Sequence, residues 1–144
     1  MLDTNVVLDW LVFRDASTAV LDRQLAAGLW HWHVTTEMRQ ELEQVLTYES
    51  LAPWKPDRSA TLAVWDGRAR LVAAPAVALS QPLRCTDPDD QKFIELALSL
   101  PGATLLSRDR AVLKLARRAR LLGVTITTPQ AWSAALAGQG GEQV

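Results

Sequence analysis

The stretch ATLLSRDRAVLKLARRARLLGVTIT, residues 103–127, decides the fold class. Residues 103–107 and 124–127 are short apolar and β-branched runs of the kind that form strands, and residues 110–121 between them carry apolar side chains at helical spacing. Strand, helix and strand in that order make βα units around a mostly parallel sheet. The alternation continues outward from this stretch. Strands are predicted at the opening residues up to Asp3, at 31–35 and at 70–73. Helices are predicted at 5–12, 17–27, 37–48, 58–67, 88–100 and 129–136. The fold class expected is α/β, and this reading carries no strand order.

A chain of 144 residues has the length of one ordinary domain, which buries roughly two thirds of its unfolded surface, so one core is expected. Hydrophobic residues at 49% and charged residues at 22% are the balance of a globular protein rather than a disordered one. A formal charge of −1 gives no general attraction to nucleic acid, so any such function must rest on a local basic surface. The apolar run 71–79 is interrupted by Pro75 and falls short of the roughly 20 residues of a membrane span. The opening residues offer neither the basic segment nor the apolar core of a signal peptide, and a cytoplasmic location is the expectation. Cys85, the single cysteine, has no internal disulfide partner and no Cys or His cluster with which to build a zinc site. Gly138, Gly140 and Gly141 suggest fraying, which gives a domain over 1–136 and a flexible tail over 137–144.

Four acids stand where local structure gives them a common direction. In the helix at 37–48, Met38, Leu42, Val45 and Leu46 mark the buried stripe, and Glu41 falls on its edge while Glu43 points away. A carboxylate beside a core costs several kcal/mol unless a cation or donors compensate it. A partly exposed Glu41 paired with an arginine explains the same position. Asp90 lies four and seven residues before Ile94 and Ala97 and also looks inward. Asp87-Pro88-Asp89-Asp90 is at the same time a strong helix start, with Asp87 as the cap and Asp89 as a solvated charge. Asp3 and Asp109, each between a strand and a helix, can be read as caps. Taken together, Asp3 and Asp109 end strands, and Glu41 and Asp90 open helices, so all four can meet at the carboxyl edge of a parallel sheet. Oxygen ligands there suit Mg²⁺ or Mn²⁺, and two such ions could activate water and hold a scissile phosphate.

These motifs resemble those of the PIN-domain family, and more narrowly of its VapC-like toxins from toxin-antitoxin pairs. They are LDTNVVL at 2–8, Glu41-Leu42, Asp87-Pro88-Asp89-Asp90 with Phe93 and Ala97, Leu106-Ser107-Arg108-Asp109, and GVTITTP at 123–129. The resemblance implies a three-layer α/β/α sandwich with a mostly parallel central sheet. It also implies an Mg²⁺- or Mn²⁺-dependent endoribonuclease, with Asp3, Glu41, Asp90 and Asp109 around the metal and Asn5 and Ser107 as supporting hydrogen-bonding residues. By the same resemblance the chain forms a homodimer and is held inactive by an antitoxin protein. Two features depart from the family pattern. Only Met1 and Leu2 precede the first aspartate, so a clipped first strand is expected, and Ala111 stands where many relatives carry a further aspartate.

Arg110, Lys114, Arg117 and Arg118 recur at spacings of three and four and form a basic stripe suited to an RNA backbone or simply to water. His31 and His33 alternate along a strand, a spacing that can hold a metal but more often does not. Six tryptophans are scattered in a manner that fits core or subunit contacts better than base stacking. Two other functions stay open at this stage: a catalytically silent PIN module that binds RNA or a partner protein, and a DNA-directed or structure-specific nuclease.

Overall fold

The computed structural model describes residues 1–76 and 83–142. In chain order its elements are α1 (Thr4–Leu11), α2 (Ala19–Ala26), β1 (Trp32–Val34), α3 (Thr36–Val45), α4 (Arg58–Arg68) and β2 (Ala69–Leu71). After these come α5 (Gln91–Ser99), β3 (Thr104–Leu106), α6 (Arg110–Leu113), α7 (Ala116–Leu121), β4 (Thr125–Thr127) and α8 (Pro129–Glu142). Short 3-10 helices occupy Ala16–Thr18, Glu49–Trp54 and Pro88–Asp90. The chain is α/β, as the alternation of short strands and helices implies. Of the apolar run 71–79, residues 77–79 lie outside the described residues. So do the last two residues of the stretch read as a tail.

The chain divides into two compact units, Met1–Val6 with Pro75–Val144, and Val7–Ala74. Length bounds the number of domains and does not reveal subdivision within one. In the first unit, β3 and β4 pair in parallel with Leu105 opposite Ile126. The opening residues add a single parallel bridge, Leu2 to Leu106, closed by the Asp3 N–H on the Leu106 carbonyl at 3.1 Å and the Leu106 N–H on the Met1 carbonyl at 2.9 Å. The opening residues thus contribute a single bridge rather than a strand. Phe93, Ile94, Leu96, Leu105, Val112 and Ile126 are buried in this unit.

The predicted helix at 110–121 divides at Lys114, where the Leu115 N–H reaches back three residues to the Val112 carbonyl at 3.0 Å. Leu115 is buried, and the tighter turn changes the helical phase between α6 and α7. At the other end, α8 runs to Glu142, past Leu136 where the sequence placed the end of the body. Each glycine in a helix costs only about 0.5–1 kcal/mol, which weakens the last turns without forbidding them.

In the second unit, β1 and β2 pair in parallel with His33 opposite Arg70. Parallel neighbours need a long crossover, and here it consists of α3, the Glu49–Trp54 turn and α4. Helix α3 is capped by Thr35, whose side chain accepts from the Met38 N–H, and α4 by Asp57, which accepts from the Ala60 N–H at 2.9 Å. Trp10, Trp32 and Trp65 form a chain of edge-to-face contacts, with centroids 5.6 and 4.7 Å apart, and all three are buried. Half of the six tryptophans are thereby accounted for as core. Among the described residues no helix is long and apolar enough to cross a membrane.

Candidate metal centre

Asp3 follows the bridging residue Leu2 and caps α1, its Oδ1 accepting from the Val6 N–H at 2.9 Å. Its Oδ2 accepts a hydrogen bond from the Ser107 hydroxyl. Ser107 follows β3, is fully buried, and accepts the Asp109 N–H on the same Oγ at 3.0 Å. Asp109 in turn caps α6 through the Ala111 N–H at 2.8 Å. One buried hydroxyl therefore ties two acids of the first unit together. Replacing Ser107 with Ala removes the donor to a carboxylate that is itself only 2% exposed and the acceptor for a backbone N–H. We expect Ser107→Ala to lower unfolding free energy by about 1–3 kcal/mol in urea titrations, and a loss below about 0.5 kcal/mol would show that the relay contributes little.

Asp90 differs from its neighbours in lacking a capping bond, although it precedes α5. Its Oδ2 is buried and has no hydrogen-bond partner among the described residues. Its carboxyl is pushed up to about 7, first by burial, then by the hydrogen bond with Asp109 and that group's charge, and further by the charges of Asp87 and Asp3. One oxygen each of Asp87, Asp90 and Asp109 lies within 4.8 Å of the others. Three carboxylates so close repel one another, and an orphaned oxygen among them lacks what a cation would provide. Oxygens on opposite sides of one Mg²⁺ are at most about 4.2 Å apart, so small movements or one bridging water bring all three onto a single ion. The donor set, all carboxylate oxygen, fits a hard divalent cation.

Asp87 is the member that the sequence reading left out. It caps the Pro88–Asp90 turn, accepting from the Asp89 N–H at 3.0 Å, a role that accounts for its position without a metal. The signal that could have found it is its spacing, since one 3-10 turn brings residues three apart onto one side. Gln91 also went unread. Its side chain accepts the Cys85 N–H at 2.6 Å and donates to the Leu83 carbonyl at 3.0 Å, clamping the segment that leads into Asp87. Burial pushes the Cys85 thiol up, and the charges of Asp90, Asp109 and Asp87 add to the effect.

Glu41 is half-buried on α3 in the second unit, between the buried Met38 and Leu42, and the three-carboxylate cluster is formed without it. Glu43, predicted to point away, pairs with Arg39 and with Arg58 at 3.6 Å. Asn5 is exposed in the first turn of α1, and its side chain makes no hydrogen bond among the described residues. Arg110, Lys114, Arg117 and Arg118 are all exposed, joined by Arg120, although the break after α6 distributes them over two helices. His33 is held below its ordinary range by burial and by Arg70, and neither it nor His31 joins a group of three metal-ligating side chains among the described residues.

A sequence model of the PIN domain matches residues 1–111. Searches of curated proteins and of solved structures gave no match. The matched span includes Asp3, Glu41, Asp87, Asp90 and Asp109 and ends before Lys114, Arg117 and Arg118. PIN domains have an α/β/α fold, are generally nucleases and typically use divalent metals.

Proposed function

The chain belongs to the PIN-domain family, and from that premise we propose that it is an Mg²⁺- or Mn²⁺-dependent endoribonuclease that hydrolyses phosphodiester bonds of single-stranded RNA. The observation that carries this reading is that one oxygen each of Asp87, Asp90 and Asp109 lies within 4.8 Å of the others, while the Asp90 Oδ2 has no hydrogen-bond partner among the described residues. Asp90 and Asp109 are the principal ligands, with Asp87 beside them. Asp3 is a further carboxylate for the same site, and the bond from the Ser107 hydroxyl fixes its orientation. Glu41 completes the set by resemblance to the family. A bound divalent ion would supply positive charge to the phosphate and lower the pKa of an attacking water. The protein's own part is to concentrate negative charge where only a cation relieves it.

Protein stripped with EDTA and given a labelled single-stranded RNA should be inactive, and Mn²⁺ or Mg²⁺ should restore cleavage. Cleavage that persists in EDTA would remove the metal from the reaction, and cleavage confined to DNA would return the substrate to the alternative class. The exposed cations from Arg110 to Arg118 support RNA as the polyanion held. Reversing Arg117 and Arg118 to Glu should weaken RNA binding about tenfold at low salt and reduce the slope of log affinity against log salt by roughly 2, and an unchanged slope would return these residues to the role of a solvated surface.

The toxin-like motifs extend the reading to a homodimer controlled by an antitoxin that covers the acids with a basic side chain. If so, expression of the chain should arrest growth, co-expression of the adjacent reading frame should relieve the arrest, and sedimentation at micromolar concentration should find a dimer. Unimpeded growth together with a monomer would reduce the protein to a stand-alone nuclease.

A further inference from the structure

Within the second unit, a cavity of about 420 Å³ opens between the end of α1, α2, the Glu49–Trp54 turn and α4. Its volume lies in the range of small-molecule sites. Two cations on its wall, Arg14 and Lys55, are the two non-glycine residues with positive φ among the described residues, at 55° and 45°. A side chain in this left-handed region costs about 1–2 kcal/mol relative to the ordinary conformation, and such residues gather where a fixed geometry serves a ligand. Neither Arg14 nor Lys55 has an ion-pair partner among the described residues.

The third cation on the wall is already engaged. Arg68 pairs with Asp22 at 3.1 Å and lies over the Trp10 ring, whose indole N–H donates to the same Asp22 carboxylate. Asp57, also on the wall, accepts the Ala60 N–H as the α4 cap. What the cavity leaves available is therefore positive charge from Arg14 and Lys55 beside an aromatic surface, because Trp54 lines it and stays 54% exposed. Its contact with Phe13, edge-to-face at 4.8 Å, holds the indole without covering it. Unpaired cations next to an exposed indole fit an anion joined to a flat ring: the phosphate of a nucleotide on Arg14 and Lys55, and its base against Trp54.

We propose that this cavity binds one nucleotide unit of a single-stranded nucleic acid. This rests on and deepens the nuclease reading by assigning the second unit a nucleotide-binding cavity of its own, and it can be tested without cleavage. The probe is AMP, titrated by calorimetry and by tryptophan fluorescence in EDTA, with the Asp90→Asn protein so that the carboxylate cluster holds no metal. AMP should bind and alter the emission, and adenosine or inorganic phosphate alone should bind at least tenfold more weakly. Arg14→Gly and Lys55→Gly should each weaken AMP about tenfold while leaving the melting temperature unchanged or higher, because glycine removes the charge and accepts the left-handed backbone. Trp54→Leu should weaken AMP and not phosphate.

Absence of AMP binding overturns the proposal, as does binding indifferent to both glycine variants. Inorganic phosphate matching AMP would overturn it too, leaving a simple anion site. If AMP binds as expected but the wild-type protein cleaves no RNA with Mn²⁺, the nuclease reading fails and the cavity assignment stands.

Discussion

Asp90→Asn should lower Mn²⁺-dependent cleavage of single-stranded RNA by about 10²–10³-fold. The amide keeps the size of the carboxyl and its place before α5, but it removes the charge that the cluster offers to a cation. A catalytic metal contributes several kcal/mol, and each 1.36 kcal/mol is tenfold in rate, which sets the size of the effect. Loss of folding is not the expected route, because the ionised form of this side chain is what the folded protein disfavours, as its carboxyl pushed up to about 7 indicates. The control is Asp89→Asn, one residue away. Asp89 is exposed and outside the cluster, so its variant should cleave within about twofold of the wild type. An Asp90→Asn protein within threefold of wild type at saturating Mn²⁺ would sink the assignment of the site.

Helical spacing gave the inward direction of Asp90 correctly, even though the residue sits in a 3-10 turn just ahead of the regular helix. It did not reveal Asp87. Capping energy is local and visible in a sequence, whereas the approach of Asp87 to Asp109 depends on where β3 places the chain after Ser107. The relay through Ser107 was equally beyond periodicity. A serine after a strand has many uses, and only the pairing of Leu2 with Leu106 sets it against Asp3. The break at Lys114 left no trace because alanine, leucine, lysine and arginine around it are all good helix formers, so propensity runs smoothly through the site of the tight turn. Arg14 and Lys55 show the opposite situation. Nothing in their types suggests a left-handed backbone, which glycine or asparagine would have signalled, and so the cavity they line was not foreseen.

The free protein should lose stability as pH rises from about 4 to about 7, and Mn²⁺ should restore it. Asp90 holds its proton more tightly folded than unfolded, with a folded value of about 7 against the ordinary carboxylate value of 3.8. The folded state therefore binds the extra proton throughout that window, and its advantage is complete below the unfolded pKa and gone above the folded one. For a fully buried carboxyl, a rise from 3.8 to about 7 would amount to roughly 4 kcal/mol. The site is partly open to solvent, which screens the penalty, and about 1–2 kcal/mol is the reasonable expectation. For a chain of this length that corresponds to a drop of roughly 3–8 °C in melting temperature between pH 4 and pH 8. Other groups titrate over the same range, so the informative quantity is the difference between wild type and Asp90→Asn. The two should melt nearly together at pH 4, and the variant should melt higher at pH 8. Metal reverses the order. Binding requires ionised Asp90 and releases its proton, so Mn²⁺ at about 100 times its dissociation constant should stabilise the wild type by about 2.7 kcal/mol at pH 8. The shift should be much smaller at pH 5 and close to zero for Asp90→Asn. Equal Mn²⁺ shifts at both pH values, or an equal shift in the variant, would place the ion away from Asp90.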